Sequence, residues 1–325
     1  MHRYLKFLFI LLVIPGLIQA QVKDCDGRCL ENLVDSYLAA IQLRNYSDIP
    51  WGEREQKVED TEQEVRDLPW GNRVRFTEND VALMIGDGLW GTATAIVEDN
   101  LVVSDPGTGN VIWLGVVEEH GLPAYLALRL KVQEQRIVEV ESVVGREGTP
   151  GPFAKTDEYR IDNIFSQNLP RNQRRQRERM IALVDGYYNS LQLNDGELMT
   201  GISNNCSRRE NGLSTTHGSE HWAAAVTNGC KQQLENGLFK STDSIRHRRY
   251  PVVNEETGVV VALSLHDQAV RYTEYKTLDG KEVNVPVEYP NTLSMLEVFK
   301  IVNGEIRQIE AVSAFQPYLM PTIWR

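Results

Sequence analysis

The apolar run VVVALSLHD ends on His266-Asp267, an imidazole next to a carboxylate at the expected rim of a sheet. Such a pair suits a general base or proton shuttle, because histidine is the side chain whose ordinary charge change falls near neutral pH. The competing reading is a plain polar pair at a turn. Glu118, Glu119 and His120 hold the corresponding place in the first half of the chain. A second cluster, Ile245-Arg246-His247-Arg248-Arg249-Tyr250, concentrates cations in a chain of net charge −11. Strand alternation puts Arg246, Arg248 and Tyr250 on one face and Ile245, His247 and Arg249 on the other. An arginine facing a pocket can clamp a carboxylate or an enolate oxygen bidentately, which makes Arg246, Arg248 and Tyr250 candidate ligand-binding residues. The alternative is ion pairing with Glu210, Glu255 or Glu256.

Two formal motifs do not carry their usual chemistry. Gly86-Asp87-Gly88-Leu89-Trp90-Gly91 satisfies GxGxxG, but TATAIVEDN follows it, without the crossover helix of a dinucleotide site. His217-Gly218-Ser219-Glu220-His221 satisfies HxxEH, yet Gly and Ser in its middle oppose the helix on which both imidazoles would share a face. No GxSxG, phosphate-binding loop or catalytic-cysteine pattern is present. The expectation is a site without metal or cofactor. Asn45-Tyr46-Ser47 and Asn205-Cys206-Ser207 are glycosylation sequons in a host that glycosylates.

Four cysteines allow three connectivities, and proximity favours Cys25 with Cys29 and Cys206 with Cys230. Their spacings lack the paired knuckles of a zinc-thiolate site. Disulfides fit the N-terminus, where His2, Arg3 and Lys6 stand in front of an apolar run from Phe7 to Ile14, followed by Pro15-Gly16 and Ala20. That reads as a signal peptide over residues 1–20, too short in its apolar core for a membrane span. The expectation is export to a periplasmic or extracellular space without a membrane anchor. With 34 Lys and Arg against 45 Asp and Glu, nucleic acid is the wrong partner.

The elements that must position these residues come in two similar sets. Leu30, Leu33, Val34, Tyr37, Leu38 and Ile41 recur as Met180, Leu183, Val184, Tyr187, Tyr188 and Leu191, each set one face of an amphipathic helix carrying Leu-Val-Asp-x-Tyr. Glu78-Asn79 matches Glu210-Asn211, and the closing segments align Lys131 with Lys300 and Glu141 with Glu310. After each helix come strand-like runs separated by turn signals, an α+β layout of antiparallel meanders. In the second half these runs include VRYTEYKT. The first half also carries WGEREQKVEDTEQEVRDLPW, read as a solvated helix. The division is 21–146, a linker 147–176 along the surface, and 177–325. The second half is favoured for function because it holds His217, His221, His247, His266 and the arginine cluster.

A helix-first unit closing in a four-strand meander, with Phe299-Lys300-Ile301-Val302-Asn303-Gly304-Glu305-Ile306 before its last strand, resembles the SnoaL-like, or nuclear-transport-factor-two-like, superfamily. RERMIALVDGYYNSLQLNDGEL, CSRRENG, IRHRRYPVV and PYLMPTIWR resemble a group of exported tandem proteins whose domain is of unknown function. The resemblance implies two tandem cone domains, each an opening helix on a curved antiparallel sheet, packed as a pseudo-dimer within one chain. It places a small-molecule pocket between the sheet and the helix. By position Tyr187, and Tyr37 in the first half, take the role of an enolate-holding tyrosine, against the alternative of core aromatics. Asp185, and Asp35 likewise, take that of a first-helix carboxylate, against the alternative of a solvated helix flank. His266 and Asp267 complete the candidate catalytic set. The implied activity is proton transfer by a metal-independent lyase, dehydratase or isomerase; the alternative is a non-catalytic ligand-binding or protein-interaction module.

Overall fold

The computed structural model describes residues 25–52, 74–149, 151–153, 156–157, 159–218, 227–285 and 287–324. The expected signal peptide and nearly all of the charged insert lie outside the described residues.

Helix α1, Gly27–Leu43, starts at Asp26, whose side chain accepts a 2.9 Å bond from the Cys29 N–H; the Cys25–Cys29 disulfide closes around this cap. It ends at Arg44 in the left-handed region, with φ 52°. Leu30, Val34, Tyr37, Leu38 and Ile41 are buried, as the spacing predicts. The first half continues with β1 (Arg75–Glu78), β2 (Val81–Ala82), the single turn α2 (Leu89–Thr92), β3 (Ala93–Asp105), β4 (Asn110–Glu119), β5 (Leu122–Gln133) and β6 (Arg136–Arg146). The glycine-rich hexapeptide therefore leads into one helical turn and an antiparallel strand.

Helix α3, Arg177–Leu193, buries Met180, Leu183, Val184, Tyr187, Tyr188 and Leu191. It precedes β7 (Ile202–Glu210), β8 (Leu213–Ser214), α4 (Cys230–Glu235), β9 (Ser244–Asn254) and β10 (Val259–Gln268). Then follow β11 (Glu274–Lys276), β12 (Glu282–Asn284), β13 (Asn291–Val302) and β14 (Glu305–Pro317). Cys206 in β7 is bonded to Cys230 at the start of α4.

Two six-stranded sheets result, ordered β2-β1-β6-β5-β4-β3 and β8-β7-β14-β13-β10-β9. Neither is wholly antiparallel as expected: β1 runs parallel to β6, and β7 parallel to β14. The first strand of each set is separated from the meander in sequence and joins its far edge beside the last strand. The expected strand VRYTEYKT is also corrected, because only Glu274–Lys276 is extended there, and it pairs with β12 in a hairpin outside the main sheet.

The Glu-Asn match has a structural cause. Asn79 and Asn211 follow β1 and β7 with φ of 50° and 43°, a conformation asparagine tolerates. Each side chain bridges both main-chain groups of a neighbouring strand residue. Asn79 accepts from Val144 N–H and donates to its carbonyl; Asn211 does the same with Ser313. Lys131 and Lys300 likewise donate to the carbonyls of Thr108 and Thr257 in matching turns.

The layers run α1, first sheet, second sheet, α3. One core lies between α1 and its sheet, another between α3 and its sheet. The third joins the two sheets, with Ile112, Leu114 and Ala127 against Val261, Leu263 and Val298. This is why β4 and β10 read as unbroken apolar runs: both of their faces are covered. The expected linker is exposed at many positions, among them Glu147, Asp162 and Gln167, but it also has inward anchors. Tyr159 and Phe165 are buried in the core between the sheets, because their apolar area is better removed from water than left on the surface.

Polar contacts also join the halves. Glu141 accepts a 2.8 Å bond from Arg129 and a pair from Arg249 of the second half. The guanidiniums of Arg75, Arg129 and Arg249 lie about the ring of Trp324, which donates a 3.0 Å bond from Nε1 to Thr77.

Candidate functional site

Strand alternation along β13 sends Leu296 and Val298 toward the first half and Glu297 and Phe299 toward α3. Glu297 thus projects into the space between the second sheet and α3, where a cavity of about 220 Å³ opens. α3 contributes Tyr187 and Leu191 to its wall, β7 Arg208 and Glu210, β10 His266, and the hairpin region Tyr275, Val283, Val285 and Val287. Most of the remaining wall is aliphatic or aromatic.

Glu297 is 2% exposed, and Tyr188 donates a 2.6 Å hydrogen bond to its Oε2. Burial pushes its carboxyl up to about 7, with nearby Glu210 adding to the rise and Tyr188 and Arg208 opposing it. His266 Nε2 lies 4.0 Å from that oxygen and 2.9 Å from Ser264 Oγ. Burial, reinforced by Arg248 and Arg208, pushes the imidazole down to about 3, so it is neutral at pH 7. Arg208 is 4% exposed and spans Glu210 at 2.8 Å, Thr215 at 3.0 Å, Gln233 at 2.9 Å and the Tyr187 hydroxyl at 3.2 Å. Burial pushes Tyr187 up to about 12 even with Arg208 beside it. The chemistry available is a carboxyl able to give or take a proton near neutral pH, a neutral imidazole close by, and a cation already matched by a carboxylate.

Residues 173–313 match a family model described as a domain of unknown function (DUF8021). No curated protein sequence matches the chain. The solved structures it resembles are nuclear-transport-factor-two-like proteins and enzymes. A protein of that description from Cytophaga hutchinsonii is 13% identical, covering 43% of this chain and 99% of its own, with TM-score 0.27. The pinacolase BvnE from Penicillium brevicompactum is 12% identical over 46% of this chain and 88% of its own, with TM-score 0.26. AusH from Aspergillus nidulans is 11% identical over 43% and 86%, with TM-score 0.27.

Of the residues expected from sequence, Tyr187 and His266 line the cavity. Asp267 does not join His266, because neighbours in a strand face opposite ways. It is 1% exposed and turned away from the cavity, where hydrogen bonds from Arg246 at 2.7 Å, Thr292 at 2.6 Å and Ser244 at 2.9 Å outweigh burial and hold its carboxyl below the usual range. The expected face of Arg246, Arg248 and Tyr250 is broken by two bulges. Leu265 and Leu263 pair with Arg246 and Arg249, and Val261 with Val252, so β9 twice spends three residues against two. His247 absorbs the first bulge at φ 53°. Arg246 and Arg249 consequently share the face toward the first half, and Ile245, Arg248 and Tyr250 the face toward α3.

There Asp185 accepts from Arg248 at 3.1 Å and from Tyr250 at 2.8 Å, and Asn189 accepts from Arg248 at 2.7 Å. These bonds outweigh burial and keep the Asp185 carboxyl below its ordinary range. The cluster ties α3 to the edge strand β9 and lies outside the cavity lining. In the first half the interior is packed by Tyr37, Trp51 and Trp90, with Trp90 Nε1 donating to Tyr37 at 2.9 Å. His217 contacts the carbonyl of Cys206 at 3.1 Å, while residues 219–221 of its motif lie outside the described residues. No group of three or more metal-binding side chains occurs among the described residues.

Sequence reasoning missed Glu297 and Arg208 as site residues. The signal for the first was a lone carboxylate at an inward position of the strand SMLEVFKIV. Arg208 had no signal of its own beyond the phrase CSRRENG.

Proposed function

We propose that the protein is exported and consists of two tandem SnoaL-like cone domains, 21–146 and 177–325, joined by 147–176. The second cone takes up a small organic molecule and moves a proton on it, as a lyase, dehydratase or isomerase does. The observation that carries this reading is Glu297, a carboxyl buried in an apolar cavity and poised at about 7. In this reading Glu297 is the acid-base group, neutral His266 and Tyr187 hydrogen-bond the reacting oxygen, and Arg208 with Glu210 fixes the floor. Asp185, Asp267, Arg246, Arg248 and Tyr250 hold the wall.

The two disulfides support export, since such bonds persist in oxidising compartments. No helix among the described residues is long and apolar enough to cross a membrane. The shared strand order and the matching Asn79 and Asn211 bridges support duplication, and the packed sheets support an intramolecular pseudo-dimer.

The alternative, a binding module, draws on the same Tyr188–Glu297 hydrogen bond, since a fixed polar anchor also serves a receptor. Native mass spectrometry of protein purified from an oxidising compartment tests for a retained organic mass, which then guides a turnover assay. Glu297→Gln, in a protein that melts cooperatively and no lower than the parent, should abolish turnover. Ligand binding that survives this change with no turnover in either protein would favour the receptor.

A further inference from the structure

The guanidinium on the cavity wall is already paired within the protein, and this limits what can enter. Arg208 is the cation on its wall, and Glu210 already meets it at 2.8 Å. Arg248, close enough to His266 to oppose its protonation, is itself held by Asp185 at 3.1 Å. A ligand carboxylate or phosphate would have to compete with the partly buried Glu210 carboxylate for a buried guanidinium, placing a second negative charge beside the first. A ligand ammonium would have to lose its hydration against Leu191, Leu293, Met295 and Phe315 to reach Glu297.

Another part of the wall is apolar as well. Where β4 and β5 of the first half join directly, with Glu119 paired to Leu122, the second half inserts the β11–β12 excursion between β10 and β13. That excursion lays Tyr275, Val283, Val285 and Val287 along the cavity, with Val283 packing on Leu238. An engineered cavity of about 150 Å³ accepts benzene, so about 220 Å³ corresponds to about nine non-hydrogen atoms.

We infer that the ligand of the second cone is a neutral, mainly aliphatic or aromatic carbonyl compound or alcohol of about nine non-hydrogen atoms, whose single oxygen meets Glu297. This rests on the cavity being the ligand site, as proposed above. It assigns specificity to the closed Arg208–Glu210 pair, which rejects anions, and to the valines of the hairpin region, which reject charge along that wall.

Calorimetric titration of the full exported chain with octan-2-one, octanoate and octylamine tests it, alongside Leu293→Trp, which fills the cavity, and Met295→Trp as a second filling variant. Melting curves select a filled variant that folds. The expected result is octan-2-one binding at least about tenfold tighter than either charged probe, and losing that affinity in the filled variant. Octanoate or octylamine binding as tightly as the ketone, with loss on filling, would overturn the neutral-ligand inference and leave the cavity as the ligand site. No binding by any of the three, or binding unaffected by filling, would overturn the ligand-site reading itself.

Discussion

Tyr188 hands its hydroxyl proton toward Glu297 Oε2 across 2.6 Å, so a residue of helix α3 holds the carboxyl that the second sheet sends into the cavity. The helix thereby fixes the orientation of a group whose ionisation is opposed by its surroundings.

That opposition has a sign that can be measured. The folded carboxyl titrates at about 7 against an ordinary 4.5, so the stabilisation of the protonated form is complete below pH 4.5 and lost as pH rises to 7. Above that window the charged group costs on the order of 3 kcal/mol. Glu297→Gln keeps an acceptor for Tyr188 and removes the charge. Its melting temperature relative to the parent should therefore be higher at pH 8 than at pH 5. An equal difference at both pH values would contradict the assignment.

His266 acts in the opposite direction. Its folded pKa of about 3 lies below an ordinary 6.5, so the folded state gains its full advantage above pH 6.5 and loses it as pH falls toward 3. His266→Gln should flatten the acid limb of the stability profile, read by urea unfolding between pH 4 and pH 7.

The asparagine bridges predict a matched pair of losses. Asn79→Ala and Asn211→Ala each remove two or more hydrogen bonds and place alanine at positive φ, costing about 2 to 3 kcal/mol. Asn211→Ala should cost more, because that side chain also donates to Pro152 O and Ser313 Oγ. Denaturant midpoints at constant slope provide the check.

Between the halves, Glu141 is 3% exposed and faces Arg129 and Arg249. Glu141→Ala leaves buried guanidinium charge behind and should cost about 3 to 5 kcal/mol. Equilibrium unfolding of the parent, Glu141→Ala and Arg249→Ala, with the double variant, would yield their coupling.

The two disulfides should differ. Cys206 and Cys230 are 24 residues apart, so losing their bond should cost about 3 kcal/mol, whereas Cys25 and Cys29, four apart, enclose little chain. Thermal melts of the two paired Cys→Ala variants would separate them.

Much of this architecture is legible in the residues. The 3.6-residue spacing of Leu30 through Ile41 and Met180 through Leu191 marks both helices, and the Lys131–Lys300 and Glu141–Glu310 alignment keeps the same offset as the Val144–Ser313 bridges. Other features leave weaker traces. A bulge such as that at His247 has no fixed composition, yet it decides which arginines face the helix. The separation of His266 from Asp267 was implicit in strand alternation. Burial of Tyr159 and Phe165 follows from the packing of two sheets, which no local pattern encodes.

Trp324 reaches Thr77 across 247 residues of chain, and three arginines gather about its ring. A first half emerging from a ribosome therefore holds Arg75 and Arg129 without their aromatic partner until that distant residue has followed. Neither half can complete this seam alone, so its closure reports the docking of the two halves rather than the folding of either one.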